Sequence, residues 1–183
     1  GRDRGPDWTR ECVMARMLTH ECKRLHSLHV IGFGGHVNTV RYGIIGSGMM
    51  GVEHIENLRH TEGVEVTAIA DPDPGSREFA GALVPDAVHY TNHQAMIEDD
   101  VCDAVVVASP NFTHVDVLKD LLATDLHVLV EKPLCTTVDD CYTILELAEG
   151  RDAITWVGLE YRYMPPIARL IDEVGAGAVG TPK

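Results

Sequence analysis

The chain has 183 residues, 45% of them hydrophobic, which allows one domain with a substantial core and is too short for two domains of the usual size. Its net charge of −13 argues against nucleic acid and against an anionic membrane as partners, because both require a basic surface. No apolar run approaches the roughly 20 residues that cross a bilayer, and five cysteines without a C-x-x-C pair predict reduced thiols in a cytoplasmic protein rather than a disulfide framework.

The first 39 residues differ in composition from the rest of the chain. They carry six Lys or Arg and four Asp or Glu, so the net negative charge lies entirely in residues 40–183. We expect residues 1–39 to be a poorly ordered extension, either native or foreign to the natural protein, with the domain beginning near Val40. We predict no metal site, because neither zinc-finger nor zinc-ribbon spacing is matched by Cys12, Cys22, His26 and His29.

A glycine-rich turn follows the first predicted strand, Arg41–Ile45. The turn reads G-S-G-M-M-G over residues 46–51 and runs into a predicted helix over Met49–Arg59. A strand, a G-x-G-x-x-G turn and a helix form the fingerprint of dinucleotide-binding proteins. The three glycines would permit, in order, the tight turn, the approach of a pyrophosphate to free N–H groups and close packing of the helix on the strand. The predicted cofactor contacts in this turn are Gly46, Ser47, Gly48, Met49 and Met50.

An acidic residue ends the second predicted strand, Val64–Ala70. Asp71 lies 20 residues beyond Gly51, the distance at which the fingerprint places a carboxylate on the adenosine ribose. That carboxylate accepts hydrogen bonds from both ribose hydroxyls, whereas a 2′-phosphate would meet a like charge at a cost of about 4 kcal/mol at 4 Å and an effective dielectric of 20. Asp73 strengthens the preference and Arg77 opposes it, and we predict NAD rather than NADP. The alternative is that Asp71 is an ordinary turn residue before a proline.

Short apolar runs alternate with helical patterns along the rest of the chain. Residues 103–108, DAVVVA, are typical of a strand buried on both faces of a parallel sheet. Six short strands separated by helices predict an α/β fold, a doubly wound parallel sheet of the Rossmann type over residues 40–158 with right-handed crossovers. The remaining predicted elements are helices over Ser76–Leu83, Asn92–Ile97, Phe112–Ala123 and Val138–Ala148 and strands over Ala87–Tyr90, Asp103–Ala108, His127–Val130 and Ile154–Val157.

Two polar motifs follow the fourth and fifth predicted strands. S-P-N-x-x-H occupies residues 109–114 in this sequence, and E-K-P occupies residues 131–133. Both lie at the carboxyl ends of parallel strands, the edge at which open α/β sheets bind ligands. Lys132 has the chemistry to hydrogen-bond a substrate hydroxyl and to take or supply its proton during hydride transfer. The plain alternatives are a strand-to-helix turn with Asn111 as the helix N-cap, and a solvated Lys132.

In this order and spacing, the four motifs resemble those of the Gfo/Idh/MocA oxidoreductases over Val40–Lys183. The resemblance implies an NAD(P)-binding Rossmann domain followed by an α/β domain with a large, mostly antiparallel sheet. It also implies a cis peptide before Pro133 and makes Lys132 the catalytic residue. Arg162 takes the place of an arginine near the cofactor, whereas Glu160 stands where many relatives have asparagine. The other residues that the resemblance places against the cofactor are Ser109, Asn111, His114 and Glu131, together with Lys132 itself.

Length is the main departure from that family. Residues 159–183 allow a linker and one helix, over about Pro166–Val174, whose apolar face would lack its usual cover. The resemblance assigns the substrate-binding sheet, a catalytic aspartate and histidine, and the contacts of a homo-oligomer to a part that this sequence does not include. We therefore expect a truncated N-terminal part of an enzyme, with the start of a second domain, that binds NAD without turnover.

Three functions are compatible with these motifs. The first is an NAD-dependent dehydrogenase that transfers hydride between NAD and a secondary alcohol of a sugar or cyclitol, so its partner is a small polyol or sugar. The second is a dinucleotide-binding module that acts as a sensor without catalysis, and the third is a Rossmann-like domain for another nucleotide. Lys132 favours the enzyme, because a sensor has no need of a lysine beside the nicotinamide.

Overall fold

A computed structural model describes residues 39–180, whose strands form one six-stranded sheet with parallel neighbours throughout. Their order across the sheet is β3-β2-β1-β4-β5-β6, so the chain runs outward from β1, returns to β4 and runs outward again. This is the strand order of a doubly wound Rossmann fold, and the predicted fold class is confirmed. The predictions about residues 1–38 lie outside the described residues. The strands are β1 (Val40–Ile45), β2 (Val64–Ala70), β3 (Val88–Tyr90), β4 (Ala104–Val107), β5 (His127–Val130) and β6 (Thr155–Val157).

Helices cover both faces of the sheet and produce two apolar cores. All four residues of β4 are buried, and their side chains alternate between the faces. Val105 and Val107 belong to the larger core, and Val106 belongs to the smaller one. The larger core includes residues of α3, α4 and α5, whereas the smaller includes residues of α1 and α2. The helices are α1 (Met49–Arg59), α2 (Pro74–Gly81), α3 (His93–Glu98), α4 (His114–Leu122), α5 (Val138–Ala148) and α6 (Pro165–Gly175).

Two helix starts differ from the predicted ones by two residues, for local reasons. The helix α2 begins at Pro74, two residues before the predicted start, because the Asp73 carboxylate accepts a hydrogen bond from the Ser76 N–H at 2.7 Å and caps the helix. The segment after β4 does not begin as a regular α-helix. A 3-10 turn over Asn111–Thr113 precedes α4, and neither carries a side-chain cap, so the alternative of Asn111 as N-cap is wrong.

The last helix, α6, presents an apolar face to solvent. Ile167, Leu170 and Ile171 are 38%, 53% and 47% exposed, and no residue of this helix is buried among those the structure describes. A stripe of this kind normally packs against another element. Within residues 39–180, no helix has both the length and the apolar character that a bilayer crossing requires.

Candidate active site

The glycine turn joins β1 to α1 at the carboxyl edge of the sheet, beside the point where the chain reverses its direction of winding. Gly46 has a φ of +88°, and a Cβ there would lie 2.5 Å from the Ser109 backbone nitrogen. A Cβ on Gly51 would lie 2.0 Å from the Gly46 carbonyl oxygen. Both positions therefore require glycine, one for the turn and one for the close approach of α1, and these two predicted roles are confirmed.

Gly48 differs from the other two glycines because the space beside it is open. A Cβ at this position would have no atom within 4 Å. Gly48 is the N-cap of α1, with no side-chain cap and no acidic residue in the first helical turn. No acidic side chain in the first turn of α1 competes for the N–H groups at this end of the helix, and the dipole favours a negative group. The turn fits a pyrophosphate that approaches the backbone at Gly48.

Asp71 follows β2 and turns its carboxylate toward the glycine turn. Its Oδ2 accepts hydrogen bonds from the Ser47 backbone N–H at 2.7 Å and from the Ser47 hydroxyl at 3.2 Å. Its Oδ1 accepts from the Asp73 N–H at 2.9 Å, which is the local bond of an Asx turn. Asp71 therefore acts as a turn residue and also joins the fingerprint turn. A carboxylate accepts about four hydrogen bonds, so capacity remains for a ligand hydroxyl.

The carboxylates at and beside Asp71 disfavour a 2′-phosphate. The Ser76 N–H lowers the pKa of Asp73, so the carboxylate of Asp73 is ionised at neutral pH. Arg77, the cation that would favour a 2′-phosphate, donates a hydrogen bond from its guanidinium to the Asp71 backbone carbonyl. An open groove beside Asp71 is lined by Ser47, Gly48, Met49, Val52, Gly75, Ser76 and Phe79.

His114 links the loops that follow β4 and β5. Its ring is fully buried, with Nδ1 2.9 Å from the Pro133 carbonyl oxygen and Nε2 3.0 Å from the Ser109 carbonyl oxygen. The Ser109 hydroxyl lies 2.7 Å from that of Thr113. Because strands β4 and β5 are neighbours, the two motifs meet at one edge of the sheet as the sequence predicted. Both ring nitrogens of His114 face carbonyl oxygens of the protein, which leaves neither nitrogen directed at a ligand. Contact of His114 with a cofactor stays a prediction.

The E-K-P segment follows β5 and begins with a buried carboxylate. The peptide between Lys132 and Pro133 is cis, as the resemblance implied. The Glu131 side chain is 9% exposed, and its Oε2 accepts from the Lys132 N–H at 3.2 Å. The Lys132 Nζ lies 4.0 Å from the same oxygen, and its side chain is 49% exposed. The amine thus lies next to the carboxylate while remaining accessible to a ligand.

His54 is a site residue that sequence reasoning missed. It lies on α1, and its Nε2 is 2.8 Å from the Glu131 Oε1, so a histidine of the glycine-turn helix contacts the E-K-P segment. The contact spans 77 residues of sequence, and no local pattern reveals it. The helical pattern did indicate that His54 faces inward. It stands next to Ile55 on the half of α1 that packs on the sheet, where Gly51 and Ile55 are buried.

Arg162 is the last predicted cofactor contact along the chain. Arg162 lies on the 3-10 helix Glu160–Tyr163 after β6, where its side chain is exposed, and its contact with a cofactor stays a prediction. Burial raises the pKa of Cys135 to about 12, so the thiol two residues after Pro133 is protonated and is no nucleophile. In the described part of the chain, no three His, Cys, Asp or Glu side chains are placed to hold a metal ion.

Comparison with known proteins agrees with this geometry. The family model described as "Oxidoreductase family, NAD-binding Rossmann fold" matches residues 40–159. The rhizopine catabolism protein MocA of Rhizobium meliloti is 33% identical over 141 residues, which cover 76% of this chain and 44% of that protein. Inositol 2-dehydrogenase 1 of Saccharopolyspora erythraea is 35% identical over 148 residues, with 79% and 44% covered.

Solved structures give the same result. The myo-inositol dehydrogenase from Lactobacillus casei, in complex with NAD(H) and myo-inositol, matches with a TM-score of 0.73 and 31% identity, over 79% of this chain and 43% of that one. An oxidoreductase from Agrobacterium radiobacter matches with a TM-score of 0.71 at 22% identity, over 79% and 42%, which supports the fold alone. The chain thus spans less than half the length of these relatives. The fingerprint turn, the acid after β2 and the E-K-P segment occur together in an NAD-binding Rossmann fold, and the chain belongs to the Gfo/Idh/MocA oxidoreductase family.

Proposed function

We propose that this chain is the NAD-binding part of a dehydrogenase that oxidises a secondary alcohol of a cyclitol or sugar. One observation carries the proposal: the glycine turn and the accessible Lys132 lie at the same edge of the sheet. The contact between His54 of α1 and Glu131 of the E-K-P segment links them. The substrate class is supported by relatives named inositol 2-dehydrogenase and by the myo-inositol in the complex with the Lactobacillus casei enzyme.

The nucleotide is held mainly by the backbone. N–H groups at Gly48 and the first turn of α1 receive the pyrophosphate, and the Asp71 carboxylate uses its remaining acceptor capacity for a ribose hydroxyl. The negative charges of Asp71 and Asp73 select NAD over NADP, because a 2′-phosphate would meet like charges. Ser109 and Asn111, in the loop after β4, would also line the cofactor.

Lys132 is the acceptor of the proton from the substrate hydroxyl. Bound NAD supplies the hydride acceptor. Lys132 hydrogen-bonds the hydroxyl oxygen and, in its neutral form, receives the proton as the carbinol carbon loses a hydride, so a ketone is formed and the charges balance. The Glu131 carboxylate stabilises the E-K-P segment by accepting a hydrogen bond from the Lys132 backbone N–H at 3.2 Å. The part of the relatives that this chain does not span would supply the substrate contacts.

The test is steady-state reduction of NAD by the product of the complete reading frame over a panel of cyclitols and sugars. We expect turnover with at least one cyclitol or sugar alcohol and a loss of roughly 1,000-fold in kcat for Lys132→Ala, the scale of a general acid–base group. Full activity of Lys132→Ala would contradict the proposed chemistry. Binding of NAD without turnover of any polyol would instead favour the non-catalytic sensor.

Two broader properties belong to the same proposal. The family resemblance implies a homo-oligomer, and the five cysteines without a C-x-x-C pair predict a cytoplasmic location for the complete protein. The uncovered apolar residues of α6 support an additional packing partner, within the complete chain or between copies. Sedimentation of the complete protein and fractionation of the source cells test these two expectations.

A further inference from the structure

His54 has no role in the proposed chemistry as stated, although its position is well defined. Its side chain is 21% exposed, and its Nε2 lies 2.8 Å from the Glu131 Oε1. The neighbours of His54 on the inner side of α1, Gly51 and Ile55, are buried and pack that helix on the sheet. The imidazole is therefore held by a helix whose distance from the sheet is set by the glycine turn.

The Glu131 carboxylate is largely buried, with its side chain 9% exposed, and both of its oxygens have neighbours. Oε1 contacts the His54 ring, whereas Oε2 accepts from the Lys132 N–H and lies 4.0 Å from the Lys132 Nζ. Gly158, directly after β6, is a neighbour of this carboxylate, since a Cβ at that position would lie 3.4 Å from Oε1, an ordinary contact distance. A buried carboxylate requires hydrogen-bond partners, and here each oxygen has its own.

We propose that His54 is a positioning residue that acts on Lys132 through Glu131. The imidazole holds Oε1, so only Oε2 faces Lys132, and Nζ stays outside hydrogen-bond distance at 4.0 Å. Without the imidazole, the buried carboxylate loses a side-chain partner and its most favourable replacement is the Lys132 ammonium. Nζ would then be drawn into a close ion pair, away from the substrate hydroxyl. This inference rests on the proposed function, because it assumes that Lys132 contacts the substrate.

The first experiment separates catalysis from binding in the product of the complete reading frame. We expect His54→Phe to lower kcat by about tenfold or more while the Kd for NADH stays within about threefold, because the glycine turn and Asp71 are unchanged. His54→Gln, whose side-chain amide can donate to Oε1, should keep kcat within about threefold of the parent. The matched control is His60→Phe at the C-cap of the same helix, since the His60 ring is exposed and the hydrogen bond described for it is to the Glu56 backbone carbonyl, at 2.7 Å.

The second experiment tests whether the effect passes through Glu131. In a double-mutant cycle, His54→Phe should have little further effect on kcat once Glu131→Gln is present, because the neutral amide of that variant carries no charge to attract the ammonium. Thermal unfolding of each variant shows whether a lower kcat reflects unfolding of the protein or a displaced Lys132 in a folded protein. His54→Gln also keeps the question answerable if His54→Phe fails to fold.

Three outcomes would overturn the inference. They are a kcat for His54→Phe within about threefold of the parent, a kcat for His54→Gln as low as that for His54→Phe, and effects of His54→Phe and Glu131→Gln that simply multiply. Failure of the proposed function is distinguishable from these. Full activity of Lys132→Ala would remove the proposed chemistry and this inference together, whereas an inactive Lys132→Ala with a fully active His54→Phe would overturn the inference alone.

Discussion

The glycine turn after β1 and the E-K-P segment after β5 hold their functional groups by different means. The turn is shaped by backbone geometry: a φ of +88° at Gly46 and a close approach at Gly51. The E-K-P segment is shaped by side chains from distant positions, His54 on Glu131 and His114 on the Pro133 carbonyl. Backbone geometry is encoded within a few residues, whereas side-chain contacts need the assembled sheet. The two regions should therefore respond differently to substitution.

Gly46→Ala should have the largest effect on stability. The new Cβ would combine a left-handed backbone with a 2.5 Å approach to the Ser109 nitrogen, and we expect a loss of about 3 kcal/mol in the free energy of unfolding. Urea denaturation measures this loss, and NADH fluorescence should show that binding is abolished. Gly150→Ala is the matched control, because Gly150 has a φ of +80° in open space and should cost only about 1 kcal/mol. Equal losses in the two variants would show that crowding at the turn does not matter.

His114→Phe should rank second and shows how much the side-chain region depends on one buried ring. Phenylalanine fills a similar volume but removes the ring N–H that the imidazole offers to the Ser109 or the Pro133 carbonyl, at an expected cost of about 2 kcal/mol. NADH affinity should fall as well, because both site loops are released. His93→Phe provides the comparison, since its ring bonds the half-exposed Asp120 and should cost under about 1 kcal/mol. A parent-like midpoint in urea for His114→Phe would contradict the linking role.

Asp71→Asn should change cofactor selection more than stability. The neutral amide keeps the shape of the carboxylate but loses its charge, so we expect NADH binding about tenfold weaker and a smaller preference over NADPH, a change of about 1.4 kcal/mol. Fluorescence titration of both cofactors measures this change. Glu65→Gln, an exposed carboxylate on the same strand, should leave both affinities unchanged. An unaltered ratio of NADH to NADPH affinity in Asp71→Asn would refute the assignment.

Asp103→Asn should have the smallest effect, because the residue lies at the opposite edge of the sheet. Arg41 hydrogen-bonds the Asp103 carboxylate with its guanidinium and its backbone N–H, and this lowers the pKa of Asp103. A lowered pKa in the folded state adds stability above the ordinary carboxyl pKa, and the gain disappears as the pH falls through the folded-state value. Urea midpoints of the parent and variant should thus differ slightly at neutral pH and converge below about pH 4. NADH affinity should not change; a large change would mean that the two edges are coupled.

Most of the sheet could be predicted because its signals are local. The apolar run in β4 and the alternation of strands and helices reflect burial on both faces, which requires no knowledge of distant residues. The ends of elements were less predictable. The start of α2 depends on the Asp73 cap, and the 3-10 turn at Asn111–Thr113 depends on the Pro110 carbonyl, which accepts from both the N–H and the hydroxyl of Thr113. These are single hydrogen bonds that leave no periodic pattern in the sequence.

The sequence by itself determined the Rossmann sheet, the glycine turn, the position of Asp71 and the order of the motifs, because glycine geometry and strand burial are properties of short segments. Only the tertiary structure decided how those motifs contact one another. It placed His54 on Glu131 across 77 residues and buried His114 between two carbonyl oxygens. Such contacts depend on how α1 and α4 pack on the sheet, since packing distance and helix rotation bring together side chains that no spacing rule relates. The geometry of the glycine turn is determined by a short segment of sequence, whereas the surroundings of Lys132 are a property of the whole fold.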